Sequence, residues 1–346
     1  MTKFSKLICL TRFCAVISLF AAVSVSTSAD TEVSKTILHR SITAGSNIPM
    51  RANMVFTWRR HGVVHTVKAR VVQGSHGKYR MEYELPVEAN GRIVTYDGET
   101  NWQYDPTGNS MTGTSIPATP GQMDSEVESL IKANYTLSLA PERARVADRK
   151  TYVLDLTPKC AGKSSQRRWI DCQTFKTLRI ETHYTDGILA QMVAYTDIQF
   201  PTFVNASEFK AVNVHGAKRK PPIAVQSPLR TRIIPSKYVD TGLNAQADPG
   251  FSLVQKSTSL INGQTAEHFL YSDGIETVSV FVQRGASGPL QVPSNWRRIE
   301  LRGRSAFENL DGHLDAITWN NRGFRFTAVS HLTPEALKQF AQSEVR

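Results

Sequence analysis

Period-two alternation of apolar and polar residues runs through most of this chain, and it commits the fold to antiparallel β-structure. Met54, Phe56 and Trp58 alternate with Val55, Thr57 and Arg59. Val63, His65, Val67, Ala69 and Val71 alternate with residues that include Lys68 and Arg70, and Tyr79, Met81 and Tyr83 alternate with Arg80, Glu82 and Glu84. A period of two marks strands with one apolar and one wetted face. Gly74 to Gly77 and Ala89 to Gly91 read as the turns between them. Later strands are expected at Tyr152–Leu156, Arg168–Cys172, Leu178–Tyr184 and Met192–Phe200.

Helical spacing interrupts this pattern at three places. Thr31 to Ala44 reads as one helix with Val33, Ile37 and Leu38 on a side. Met123, Val127, Leu130 and Ile131 predict a second over 122–135, with Asp124 as its cap. Thr333 as N-cap and Pro334 as first helical residue open a third, with Leu337, Phe340 and Ala341 as its buried stripe.

The first residues read as an export leader. Lys3, Lys6 and Arg12 precede the apolar run Phe13–Val25, and Ser26-Thr27-Ser28-Ala29 supplies a small-residue exit, with cleavage expected after Ala29. The run falls short of the roughly 20 residues that span a bilayer, so retention as an anchor is the weaker reading. Removing a leader with three basic and no acidic residues takes the formal charge from +11 to +8. The remaining length suggests two domains. Ala217 to Pro228, with Lys218-Arg219-Lys220 and three prolines, reads as the linker between them. The scattered basic charge suits an acidic partner or nearby anionic headgroups, and nucleic acid is not expected. Strands are expected in the second part at Phe251–Lys256, Ala266–Ser272, Glu276–Gln283, Ala306–Glu308, His313–Asn320 and Phe324–Val329.

Only Cys160 and Cys172 survive leader removal. An even number in an exported protein, placed about the apparent turn Gly162-Lys163-Ser164-Ser165, suggests a disulfide between them. A metal or redox role needs more ligands than these two. His61 and His65 are four apart, but on a strand that separates them by roughly 13 Å, too far to share a metal. His183 reads as an exposed strand residue. Asp97, Asp105, Asp171, Asp186 and Asp273 each stand at a turn, where aspartate hydrogen-bonds its own backbone. No nucleophile elbow, phosphate loop or metal-binding helix appears, so no catalytic residue, metal site or cofactor is expected and the chain reads as a non-enzyme.

The aromatic residues carry more. Met54, Phe56, Trp58, Val67, Tyr79, Met81, Tyr83, Trp102 and Tyr104 are candidates for one apolar face of a curved sheet. Any one of them alone reads as ordinary core. Together they outline a groove that helices fill only in part, the usual form of a small-ligand or acyl-chain site.

A family resemblance rests on ordered segments. Gly77-Lys78-Tyr79-Arg80-Met81-Glu82-Tyr83, Ile93-Val94-Thr95-Tyr96-Asp97-Gly98 and Trp102-Gln103-Tyr104-Asp105-Pro106 resemble the first half of the LolA-like fold. Val153 to Lys159, Trp169-Ile170-Asp171, Leu178 to Glu181, Tyr184 to Gly187 and Tyr195 to Ile198 look like its second half. After Val212, Phe269 to Gly274, Thr277 to Val282 and Val329 to Leu337 make the arrangement similar to the MucB/RseB family of periplasmic regulators. The resemblance implies an α+β, mostly antiparallel fold. Residues 30–212 would form a LolA-like unclosed (half) β-barrel covered by helices, 213–228 a linker and 229–346 a smaller α+β domain. It implies a periplasmic protein that binds the periplasmic part of a membrane-bound anti-sigma factor and shields it from proteolysis, with a lipid or lipoprotein signal in the barrel. A periplasmic lipid or lipoprotein carrier of LolA type is the alternative.

Overall fold

The computed structural model of the chain describes residues 26–60, 62–115, 120–224, 243, 244, 246–261, 264–284, 290, 292–310 and 314–345. In chain order the elements are α1 (Ser26–Asn47), β1 (Met50–Arg60), β2 (Val63–Gln73), β3 (Tyr79–Leu85), β4 (Ile93–Tyr96), β5 (Thr100–Asp105), β6 (Ser110–Ser115), α2 (Pro120–Asn134), β7 (Tyr135–Leu139), β8 (Ala144–Val146), β9 (Arg149–Pro158), β10 (Ser165–Asp171), β11 (Thr177–His183), β12 (Leu189–Gln199), β13 (Lys218–Arg219) and β14 (Ile223–Ala224). There follow β15 (Gln246–Ala247), β16 (Phe251–Ile261), β17 (Gln264–Ser272), β18 (Thr277–Arg284), β19 (Arg297–Leu301), β20 (Arg304–Asn309), β21 (Asp315–Asn321), β22 (Phe324–Ser330) and α3 (Pro334–Glu344). The architecture is α+β and mostly antiparallel.

Two sheets carry the chain. In the first, neighbours run β13-β6-β5-β4-β3-β2-β1-β12-β11-β10-β9-β7, with β14 on β6 and β8 on β9. Its centre is the β1–β2 hairpin, paired without a break from Met50↔Gln73 to Arg60↔Val63. The second runs β15-β16-β17-β18-β22-β21-β20-β19. The stretch expected as a linker begins differently from the reading above: β13 and β14 add to β6 in parallel, so the first sheet extends past Val212. Their prolines flank the short strands without occupying them, which is how edge strands tolerate proline. Residues 225–242 of that stretch, like residues 1–25 of the expected leader, lie outside the described set.

Helices α1 and α2 pack on one end of the first sheet. Ile37, Leu38, Ile131, Tyr135, Leu137, Leu154, Leu156 and Ile170 form the core there. The buried stripe of α1 is Ser34, Ile37, Leu38, Ser41 and Ala44. Val33, expected inside, sits at the stripe's edge and is 49% exposed. The buried serines are satisfied within the helix, Ser34 Oγ donating to Asp30 O and Ser41 Oγ to Leu38 O. The C-terminal end of α1 is capped by Lys176, whose Nζ donates to Gly45 O at 2.6 Å; a cation there meets the unpaired carbonyls and the negative helix end. Helix α2 starts at Pro120, and the side chain of Asp124, expected as its cap, lies outside the described set. It passes directly into β7, a strand the helical pattern hid because Tyr135 fits both.

The second sheet buries its core under α3. Thr333 accepts from Ala336 N and Pro334 takes the first turn, as expected. Phe340 meets Phe251 and Tyr271 edge-on, at 5.6 and 5.2 Å between ring centres. Such T-shaped pairs align a positive ring edge with a negative face.

The expected disulfide is absent: Cys160 and Cys172 are free thiols, the first exposed and the second part-buried. The turn between β9 and β10 does lie near Cys160. Cys172, however, follows the far end of β10, where its amide bonds Lys150 O. Seven strand residues of about 3.3 Å each separate the two sites by more than roughly 20 Å, far beyond the Cα separation of about 7 Å that a disulfide spans.

Candidate functional site

The β1–β3 face is set by register. Phe56 stands opposite Val67 and Val193, Met54 opposite Ala69, and Ala69 opposite Tyr83. Val71 pairs Met81 and Gln73 pairs Tyr79. Because directly paired residues share a face, Met54, Phe56, Trp58, Val67, Tyr79, Met81 and Tyr83 all lie on one side. Trp102 and Tyr104 do not. They pair Thr95 and Ile93, which point opposite to Tyr96 and Val94, the partners of Tyr79 and Met81. The expected nine-residue groove is thus divided between two faces, since a one-residue step in a strand reverses the side. Trp102 is buried under Arg219 of β13, whose guanidinium carbon lies 4.3 Å from the ring centre.

The front of this face opens on a cleft between the two sheets. Phe56 stacks on Trp58 at 5.0 Å, and Trp58 on His65 at 5.1 Å. His65 therefore serves as an aromatic surface, and no group of metal-ligating side chains occurs among the described residues. His61 lies outside them. Phe56, Trp58 and Tyr184 from the first sheet face Glu276, His331 and Leu332 from the second across a cavity of about 370 Å³. A second cavity of about 470 Å³ shares Trp58, Arg59, Tyr184, His331 and Leu332 with it and reaches Arg60, Asp186 and Asp315. Both volumes are in the range of ligand sites.

The cleft is held together by turn aspartates and long-range partners. All five turn aspartates accept local backbone amides, as expected. Asp97 takes Glu99 N and Thr100 N, Asp105 takes Thr107 N, Asp171 takes Thr174 N, and Asp186 takes Ile188 N. Asp273 goes further. Its Oδ1 accepts Ile275 N and Glu276 N, while its Oδ2 accepts Lys163 Nζ at 2.6 Å and Tyr135 Oη at 2.8 Å. Asn134 Nδ2 donates to Asp273 O. One carboxylate therefore shapes its own turn and bonds the other sheet. Gly274 lets that turn approach α2: at φ +100°, a Cβ there would lie 2.6 Å from Ile131 N. Lys163 Nζ also sits 4.6 Å from the centre of the Phe251 ring. A second tie joins Arg60 to Asp315 at 2.6 Å.

The electrostatics of the cleft are unusual at Glu276. Burial, then the charge of Asp273, pushes its carboxyl up to about 7, against the pull of Ser164 and Lys163. Its Oε2 has no hydrogen-bond partner, nor has Arg59 Nε. Burial, then Arg60, lowers the imidazole of His331. The cleft thus combines aromatic walls, a carboxyl raised toward neutrality and a buried donor without a partner. They form no nucleophile–base pair. The sequence reading missed Lys163, Glu276, Arg60 and Asp315, whose partners lie outside the local windows that periodicity reads.

Comparison with known proteins gives a consistent fold. A family model described as MucB/RseB N-terminal domain matches residues 56–213. No curated protein matches the chain. Among solved structures, the MucA/MucB complex of Pseudomonas aeruginosa is similar with 16% identity and a TM-score of 0.55, over 90% of this chain and 97% of that one. MucB in complex with MucA(peri) matches over the same shares with 16% identity and a TM-score of 0.52, and MucB alone with 15% and 0.50. At such identities the likeness speaks for the fold, and the chain has a MucB/RseB-like fold through both of its sheets.

Proposed function

We propose that this protein is a periplasmic, non-enzymatic regulator that binds the periplasmic part of a membrane-bound anti-sigma factor and shields it from proteolysis. The observation that carries the reading is the fold likeness to MucB over 90% of the chain, in a structure of MucB with MucA(peri). On this reading residues 1–29 are an export leader removed after Ala29. Residues 30–212, with β13 and β14 added at the sheet edge, then form a LolA-like half-barrel, and 229–346 a second domain.

The partner's chain enters the cleft beside Trp58 and Tyr184. Glu276 and Arg59, whose Oε2 and Nε are buried without a partner, line its path. The remaining apolar face, from Met54 to Tyr83, receives the acyl chain of a lipid or lipoprotein signal. The same face supports the second reading, a lipid or lipoprotein carrier.

Affinity capture from an envelope extract tests the first reading. It predicts recovery of a single-pass anti-sigma factor, protected from protease while bound, with recovery lost in Trp58→Ala. Recovery of no such protein overturns it. Exchange of an acylated ligand without any protein partner favours the carrier.

A further inference from the structure

The buried carboxylates Asp273, Asp171, Glu308 and Asp315 each have a counter-charge, in Lys163, Arg149, Arg297 and Arg60. Arg168 has none among the described residues. Its Nε donates to Gln166 Oε1 at 2.6 Å, and no carboxylate comes within ion-pair distance. Two acids of the covering helices are engaged elsewhere, Glu128 with Lys132 and His39, and Glu32 with Lys35. Enclosure by protein pulls the Arg168 guanidinium down to about 10, so it remains charged at neutral pH. A part-buried cation without a counter-charge is costly, and guanidinium does not escape that cost by losing its proton.

Arg168 lines a crevice of about 350 Å³ between α1, α2 and the sheet, with Ser41, Ser46, Val127 and Thr177. An adjoining crevice shares Gly45 and Thr177 and contains Lys176, a buried cation held near 8 by its burial. Register supplies the third observation. Arg168 pairs Ile180, Ile180 pairs Val193, Val193 pairs Phe56 and Phe56 pairs Val67. A single row across the sheet thus begins at a cation and continues over apolar side chains for four strand spacings, roughly 19 Å.

We propose that Arg168 anchors an oxyanion, a carboxylate or phosphate monoester, in this crevice, with Lys176 adding charge beside it. Guanidinium suits such groups because its forked donors match two oxygens at once. The anion can be the head group of an acyl chain laid along the row, which rests on the apolar-face reading above, or a free ion, which does not.

Calorimetric titration of the full protein with dodecyl phosphate, dodecanol and inorganic phosphate tests this. Dodecyl phosphate is expected to bind at least about tenfold more weakly to Arg168→Gln than to the parent, and Arg168→Lys to fall between. Dodecanol affinity should not change. A lipid head group is indicated when dodecyl phosphate binds and inorganic phosphate does not; a free-ion site is indicated when inorganic phosphate binds and is lost in Arg168→Gln. Unliganded Arg168→Gln should melt no lower than the parent, since it removes an unpaired charge. Equal binding of dodecyl phosphate to both proteins overturns the anchor while leaving the apolar face intact. Failure of both dodecyl phosphate and dodecanol to bind overturns the apolar-face reading. Failure of inorganic phosphate as well overturns the anchor too.

Discussion

Lys163 and Asp273 lie 110 residues apart in sequence and meet at 2.6 Å, with their side chains 1% and 0% exposed. One belongs to the turn before β10 and the other to the turn before β18, so the pair binds the two sheets. Its Coulomb attraction is offset by the cost of drying both ions. What makes the geometry hold is completeness, because Tyr135 and two backbone amides fill the remaining lone pairs of Asp273.

Removing both partners should therefore cost less than the two single removals added together. Lys163→Met leaves Asp273 buried and uncompensated, and should lower stability by about 3–5 kcal/mol. Lys163→Met combined with Asp273→Asn should lose less than the two single variants added together. Urea unfolding of the three variants measures this; simple additivity would mean that the ions do not interact.

Glu276 should make stability fall as pH rises. Its carboxyl is ordinary near 4.5 when unfolded and is raised to about 7 in the fold, chiefly by burial. The folded state thus holds the proton more tightly. The stabilisation from that proton is complete below 4.5 and is lost as pH climbs through 7. A shift of that size corresponds to roughly 3 kcal/mol at most. Glu276→Gln should remove this dependence, gaining on the parent at pH 8 and matching it near pH 4.5. Parallel unfolding curves for the two proteins at both pH values would contradict it.

Gly274→Ala should destabilise by at least about 2 kcal/mol, since φ +100° disfavours a side chain and the new Cβ would strike the Ile131 amide. Thermal unfolding reads the loss. Gly187→Ala is the comparison: it also has positive φ but nothing within 4 Å, so it should lose less.

Native thiol labelling followed by peptide mapping should find both Cys160 and Cys172 modified without reductant. Cys160 should react faster, because it is exposed, whereas burial raises the Cys172 thiol. A linked Cys160–Cys172 peptide would restore the bridge that the strand length forbids.

The legible part of this fold was what repeats locally. Alternation along β1, β2 and β3 placed seven of the nine groove candidates on one face, and Thr333-Pro334 marked the start of α3. Turn chemistry was equally legible, since each of the five aspartates caps amides two or three residues on. The reading failed where one residue of register mattered, as with Trp102 and Tyr104, and where distance along a strand mattered, as with Cys160 and Cys172. Alternation gives the period within a strand but not the phase between strands, and phase decides which aromatics meet.

By itself, then, the sequence determined the strand content, the helix starts and the local half of each turn. Tertiary structure decided which free oxygen of Asp273 would meet Lys163, which carboxyl would be held near neutrality, and that Arg168 would be part-buried without an acid. Those outcomes depend on what two distant segments exclude from water together, and a carboxylate or guanidinium carries no local mark of the solvent it will lose.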